Sequence, residues 1–205
     1  MITLYIETNF FIGFAKNQDK EAEELVSHLA SELIGLNKLK IVSPTICCME
    51  ALSVLENERQ RSNSFKVRMG DEINKLKGDI NSEYSKEIKR FLEQAKIKTD
   101  ARINDINIRL FEVLKWATDN VELINLEQSI LIDSLNQQLI PDPTDNLILH
   151  SILNHSKTSS DDQKVLLTGN SKDFGTKEIK QILGAAGIQK YFASTKYCLG
   201  WLRSL

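Results

Sequence analysis

Four short polar segments of this chain carry side chains that could do chemistry together. They are Glu7-Thr8-Asn9, Glu50, Asp145-Asn146 and the run Thr168-Gly169-Asn170-Ser171-Lys172-Asp173-Phe174. Their carboxylates and amides are hard oxygen donors. Carboxylates gathered at one place repel one another unless a cation holds them, and oxygen-only clusters suit Mg²⁺ or Mn²⁺. Two of the segments follow short apolar runs, Ile2–Ile6 and Val165–Leu167, so they stand just past the C-terminal ends of two expected strands. In an open parallel α/β sheet, ligand sites assemble at that edge. The chemistry within reach of such a set is metal-assisted attack on a phosphodiester.

Each residue also has a plainer role open to it. Glu7 could cap a helix at the end of the first strand, although Glu caps less well than Asn and Asn9 alone could supply that cap. Glu50 lies beside Cys47 and Leu52, where a carboxylate at the edge of a core-facing stripe is costly unless paired, either in a rim salt bridge or with a metal. Asp145 could be an N-cap, and capping does not prevent ligation. The Thr168–Phe174 run could be an Asx-type turn. The order of these segments and their places in strand-to-helix turns carry more weight than any one of them. None of the three histidines joins the set. His28 is expected on a helix surface, and His150 and His155 sit five apart on the helix after Asp145. Cys47, Cys48 and Cys198 lack metal-ligand spacing and read as small apolar core residues of a reducing compartment.

The elements that must position these residues follow from periodicity. Met1–Ile6 and Val165–Leu167 are short, apolar and β-branched, as buried strands are, and Leu39–Val42, Val121–Ile124 and Ile188–Ala193 read likewise. Between them, helical spacing marks Phe10–Ala15, then Lys20–Leu36 through Ala22, Leu25, Val26, Leu29, Leu33 and Leu36. Pro44 suits the first turn of the next helix, with Ser43 as its cap. Later helices are expected at Glu127–Gln137, Asn146–Asn154 and Thr176–Ala186, the last stopped by Gly187. Strands alternating with helices predict a parallel sheet with right-handed crossovers.

From Glu56 to Thr118 the strand signals cease. Ile73, Leu76, Ile80, Tyr84, Ile88, Phe91 and Ala95 recur at helical spacing, as do Ile103, Ile106, Leu110, Phe111 and Leu114, with Lys98–Ala101 as the expected break. This predicts an antiparallel helical pair. The segment holds 14 Lys and Arg against 11 Asp and Glu, while the whole chain carries −2. A mildly basic arm beside an acidic body is compatible with tracking phosphates and equally with solvated helix faces. The net charge argues against a protein that coats nucleic acid generally. No apolar stretch approaches the ~20 residues of a membrane span, and Ile2–Ile6 is too short for a signal-peptide core, so a soluble cytoplasmic protein is expected.

The four segments, in this order, resemble the PIN-domain ribonucleases. That family's pattern is an acid-Thr-Asn turn after the first strand, a Glu near the start of the helix after strand two, an Asp opening a later apolar helix, and a Thr-x-Asp/Asn-x-x-Asp-Phe loop. Here the corresponding residues are Glu7-Thr8-Asn9, Glu50, Asp145 within Pro143–Leu149, and Thr168–Phe174. The closing strand and helix, with Trp201 and Leu202, are similar too. The likeness covers about residues 1–55 and 120–205 and leaves out the helical segment between. It implies a three-layer α/β PIN-like fold, a central parallel sheet flanked by helices. Residues 1–205 would form a single domain with a helical-hairpin insertion at about 56–118. It further implies a Mg²⁺- or Mn²⁺-dependent endoribonuclease of the toxin–antitoxin or RNA-processing type, acting on single-stranded RNA, with an antitoxin-like protein or a second copy as conceivable partners. In that mould Glu7, Glu50, Asp145 and Asp173 are the catalytic acids and, with Asn170, the metal ligands. Thr8, Asn9 and Thr168 bind phosphate or fix a carboxylate.

Two positions depart from the pattern. Glu7 stands where the family normally has Asp, and its extra methylene must fold back or displace the ion. Asn170 stands where a fourth acid is usual and removes one negative charge. A competing expectation is therefore a PIN-like binding module for nucleic acid or protein whose metal site has weakened. A third class, a phosphatase-like enzyme, needs an Asp nucleophile after the first strand, and the chain has Glu7 there with no Asp two residues on.

Overall fold

The computed structural model describes residues 1–29, 35–36, 38–161 and 163–204. Five strands form one all-parallel sheet: β1 (Ile2–Ile6), β2 (Leu39–Pro44), β3 (Val121–Ile124), β4 (Gln163–Leu167) and β5 (Ile188–Phe192), in the order β3-β2-β1-β4-β5. Leu4, Tyr5 and Ile6 are fully buried in the central strand, as are Val165 and Leu166 beside it. Burial of consecutive residues means that both faces of the sheet are covered, which is why these strands read as unbroken apolar runs rather than alternating ones. The chain winds outward from β1 to β2 and β3, then returns to the other side of β1 with β4. The order therefore reverses between β1 and β4, and ligands bind at such a switch point. Glu7 and Thr168 directly follow the two strands that flank it.

Helices fill the intervals: α1 (Thr8–Ala15), α2 (Lys20–Glu24), α3 (Thr45–Leu76), α4 (Glu83–Asn120), α5 (Gln128–Asn136), α6 (Pro143–Thr158), α7 (Ser171–Phe174), α8 (Lys177–Ala185) and α9 (Thr195–Leu202). The expected helix Lys20–Leu36 is α2 passing into a π-helical turn, Leu25–Leu29. Ala22 and Leu25 are buried as predicted, whereas Leu36 is exposed, and Leu33 lies outside the described residues. Pro44 ends β2 instead of opening α3, and Ser43 is not a cap. A residue before proline is driven to extended backbone, which keeps Ser43 in the strand with its hydroxyl buried and unpartnered. Thr45 Oγ1 bonds the Ile124 carbonyl at 2.9 Å instead.

The helical pair differs from expectation in where it turns. At 1.5 Å per residue α3 is about 48 Å long and α4 about 57 Å. They are joined at residues 77–82, not at Lys98–Ala101. Ser82 caps α4 through the Ser85 amide, and the Ser85 hydroxyl donates to Asp79 at 3.0 Å. Lys98–Ala101 stay helical, and the two middle residues have their polar groups engaged on the helix itself or across the pair. The Thr99 hydroxyl donates back to the Ala95 carbonyl, and Asp100 pairs with Lys66. The apolar run Ile80, Tyr84, Ile88 and Phe91, expected to pack, is exposed beyond this turn.

The other half of the pair belongs to the core. Leu55, Leu110, Val113 and Ala117 join the main cluster. Arg109 donates to the Phe14 carbonyl at 3.1 Å and stacks over the Phe14 ring, while Lys16 pairs with Glu58 at 2.7 Å. The pair thus clamps α1, whose first residues line the sheet edge. Cys47 and Cys198 are buried and Cys48 is half-buried, all free thiols. Among the described residues, no helix is long and apolar enough to cross a membrane.

Candidate active site

Glu7 is the deepest of the acids, 1% exposed. Its longer side chain folds back on its own chain. One carboxylate oxygen accepts from the Asn9 amide at 2.7 Å, capping α1, and the other accepts from the Gly169 amide at 3.1 Å across the switch point. Of the two caps open to the sequence, Glu7 is the one used, and the exposed side-chain amide of Asn9 has no partner among the described residues. Gly169 is needed for the approach, since a Cβ there would lie 3.3 Å from Asn9 Cβ. Burial raises the Glu7 carboxyl to about 7. The amides of Asn9 and Gly169 and the Thr168 hydroxyl oppose the rise, and the Asp145 charge adds to it.

Glu50 sits in the second turn of α3, half-buried at the edge of the stripe formed by Cys47, Ala51 and Leu55. The Thr8 hydroxyl donates to it. Asp145 is placed by the rigid Pro141-Asp142-Pro143 loop. Asp142, not Asp145, is the N-cap of α6, accepting from the Thr144 and Asp145 amides at 2.8 and 3.1 Å, with Pro143 in the first turn. Pro at that position needs no partner for a missing N–H, and its fixed φ suits the helix. Capping by Asp142 frees the Asp145 carboxylate, which faces the sheet edge. Burial raises its carboxyl to about 6, helped by the charges of Glu50, Asp142 and Asp173 and opposed by a hydrogen bond from Asn170.

The last segment forms α7 directly after β4. Asn170 spends both ends of its amide: the oxygen caps α7 through the Asp173 amide at 3.2 Å, and the nitrogen donates to Asp145 Oδ2 at 2.9 Å. Asn170 thus acts on the site by holding Asp145. Thr168 accepts from the Asn170 amide at 3.0 Å. Of the three residues expected to bind phosphate or fix a carboxylate, Thr8 and Thr168 fix carboxylates and Asn9 stays open.

All four expected acids are thereby brought to one edge, with Asp145 at the centre of the crowding: the charges of Glu50 and Asp173 act on it, and its own acts on Glu7. The donor set is oxygen only, as Mg²⁺ and Mn²⁺ require, and mutual repulsion is what a cation would relieve. Their spacing is wider than a coordination shell, for among the described residues no three His, Cys, Asp or Glu side chains converge closely enough to hold a metal ion. His150 and His155 are engaged elsewhere, with the Gln137 carbonyl and with Tyr5 and Glu122.

A family model described as PIN domain matches residues 4–174. The chain belongs to the PIN-domain family. The match spans all four acids and the helical pair, while β5 and α9 lie beyond it. The fold of a PIN domain is of nuclease type, and the family usually uses divalent metal ions. No curated protein and no solved structure matches the chain.

Two neighbours of this PIN-domain site escaped the sequence reading. Asp142 was legible in principle, because Asp followed by Pro before an apolar helix is a cap signal. Tyr191, on β5, was not: its hydroxyl is buried without a hydrogen-bond partner, and burial together with the Glu7 charge raises its pKa. Nothing local to Ile188–Phe192 announces that proximity.

The raised carboxyls predict a pH signature for the chelator-treated protein. Glu7 moves from 4.5 to about 7 and Asp145 from 3.8 to about 6. The folded state therefore binds more protons than the unfolded chain across that window. The contribution of these two groups to stability is full below about pH 4 and falls as pH rises toward 7. Glu58, Glu122 and Asp161, whose carboxyls are lowered, act oppositely and only at more acid pH. Thermal unfolding should show a falling limb between about pH 4.5 and 7 that saturating Mn²⁺ suppresses. A flat or rising profile without metal would contradict the charge crowding at the site.

Proposed function

We propose that the protein is a Mg²⁺- or Mn²⁺-dependent endoribonuclease that hydrolyses phosphodiester bonds of single-stranded RNA. The observation that carries this reading is the gathering of Glu7, Glu50, Asp145 and Asp173 at the β1/β4 switch point, each apart from Asp173's own carboxylate tied down by a specific donor. Glu7, Glu50, Asp145 and Asp173 would hold the ion with their carboxylates drawn closer together than they stand here. The ion, when bound, lowers the pKa of water and polarises a phosphoryl oxygen. The chain's own residues supply orientation. Gly169 and Asn9 amides fix Glu7, the Thr8 hydroxyl fixes Glu50, and the Asn170 amide fixes Asp145. Such outer partners typically matter by ~10–100-fold in affinity or activity. Glu7, raised toward neutrality, can hold a proton on its carboxylate at working pH. A toxin–antitoxin or RNA-processing role, cytoplasmic, is the setting this reading favours.

The test is cleavage of a labelled single-stranded RNA in Mn²⁺ or Mg²⁺. Slow cleavage that excess EDTA abolishes is expected, and undiminished cleavage in chelator would sink the reading. A second reading, a binding module with a weakened site, draws on the wide spacing of the acids and the neutral Asn170. Mn²⁺ titration separates the two. The nuclease reading expects saturable binding that Glu50→Ala weakens, whereas the binding module expects none.

A further inference from the structure

Beside Glu7 a cavity of about 260 Å³ opens between the α1–α2 turn, the end of β4 and the start of α9. Glu7, Asn9, Thr168 and Gly169 form its inner wall, so it is continuous with the acid site. Its outer wall is Gln18, Asp19 and Glu21 on one side and Ser194 and Thr195 on the other.

The wall is built and braced. The Gln18 and Asp19 amides both donate to the Gly13 carbonyl, and Asn17 before them takes a left-handed φ of 53°. Asp19 has both carboxylate oxygens committed: one caps α2 through the Ala22 amide at 3.0 Å, the other accepts from the Thr195 hydroxyl. Asp19 thus joins the two sides and is not available to a ligand. By contrast, the side chains of Asn9, Gln18, Glu21 and Ser194 line the same space and have no hydrogen-bond partner among the described residues. Glu21, in the first turn of α2, is half-buried.

This combination selects against phosphate. Among the described residues, no Lys or Arg lines the cavity and three acids do, Glu7, Asp19 and Glu21. It favours a neutral group that presents hydrogen-bond donors. Its size, just under the ~300–1,000 Å³ of drug-sized ligand pockets, suits one nucleobase. Unpaired RNA bases are read on their Watson–Crick edges when splayed from the strand. Guanine alone offers one carboxylate two adjacent donors, N1–H and N2–H, with an O6 acceptor beside them for an amide N–H₂.

We propose that this cavity is a base-reading subsite for an unpaired guanine next to the scissile phosphate. Glu21 accepts from N1–H and N2–H, and the Gln18 or Asn9 amide donates to O6. The subsite rests on the ribonuclease reading above and adds a sequence preference to it.

The experiment uses the full chain with Mn²⁺ and 5′-labelled oligouridylates that carry one central guanosine, inosine, adenosine, cytidine or uridine, with cut sites mapped on a gel. Inosine keeps N1–H and O6 but lacks the N2 amine. Cleavage beside guanosine should exceed that beside inosine about tenfold, the scale of a bidentate contact, and exceed uridine by more. In Glu21→Gln, which replaces one acceptor by a donor, the guanosine-to-inosine ratio should fall to about one. The wild-type series alone tests the idea should that variant fold poorly. Cleavage without base preference, a preference for uridine, or a guanosine preference that survives Glu21→Gln would overturn the subsite and leave the nuclease reading standing. No cleavage of any oligonucleotide would remove both.

Discussion

Asp145→Asn should reduce cleavage of single-stranded RNA by on the order of 10³-fold, since several kcal/mol of transition-state stabilisation depend on a charged ligand at this position. The fold should survive. Asp142, not Asp145, caps α6, so the helix keeps its N-terminus, and an Asn side chain retains an oxygen for the Asn170 amide that now donates to Asp145 Oδ2. Stability should in fact rise slightly at pH 8. The substitution removes a charge that sits against Glu50, Asp142 and Asp173, although solvent screening of this half-buried group keeps the gain below about 1 kcal/mol. The falling limb of the pH–stability profile should flatten in the same variant. Parallel assays of cleavage and thermal unfolding at pH 8 check both halves. Retained cleavage would exclude Asp145 as a functional acid, and a large stability loss would mean that its carboxylate has a structural partner beyond Asn170.

Glu7→Asp should lower cleavage about 10–100-fold and weaken Mn²⁺ binding, even though Asp is the usual family residue there. Glu7 reaches two donors at once, the Asn9 amide at 2.7 Å and the Gly169 amide at 3.1 Å. A side chain one methylene shorter keeps the cap on α1, for which Asp is the better residue, but falls short of Gly169. Losing that bond frees the Gly169 amide, on an exposed residue that solvent can reach, and releases the β4 turn that places Asn170 and so Asp145. Misplacements of about 1 Å are enough to lower rates 100-fold. Unchanged metal affinity and rate would show that Glu7 is a cap and nothing more. A gain in both would mean that the pocket has drifted from a shorter ancestral acid.

Much of this was legible along the chain because its causes are local. Val121–Ile124 is a strand in the structure as in the reading, since three apolar residues in a run of four, too short for a helix and set between polar segments, leave little else. Gly187 stops α8 at a φ of 90°, a conformation only glycine adopts without strain. The break in the helical pair was misplaced because Lys98-Thr99-Asp100-Ala101 and Asp79-Ile80-Asn81-Ser82 look alike by composition. Which one turns depends on whether the partner helix has a group to meet it. Lys66 meets Asp100 across the pair, so the helix runs on.

By itself the sequence determined the α/β alternation, the buried parallel strands and the four acidic segments in their turns. These follow from side-chain periodicity and backbone preference within a few residues of each position. Tertiary structure decided the rest: that Glu7 caps its own helix while accepting from Gly169, 162 positions away, that Asp142 takes the cap and leaves Asp145 free, and that Asn170 holds Asp145. It also decided that a cavity lies between the α1–α2 turn and α9. A hydrogen bond depends on distances of a few tenths of an ångström. Between segments so far apart in the chain, those distances are set by how β1 and β4 come to lie side by side, and no local pattern encodes that.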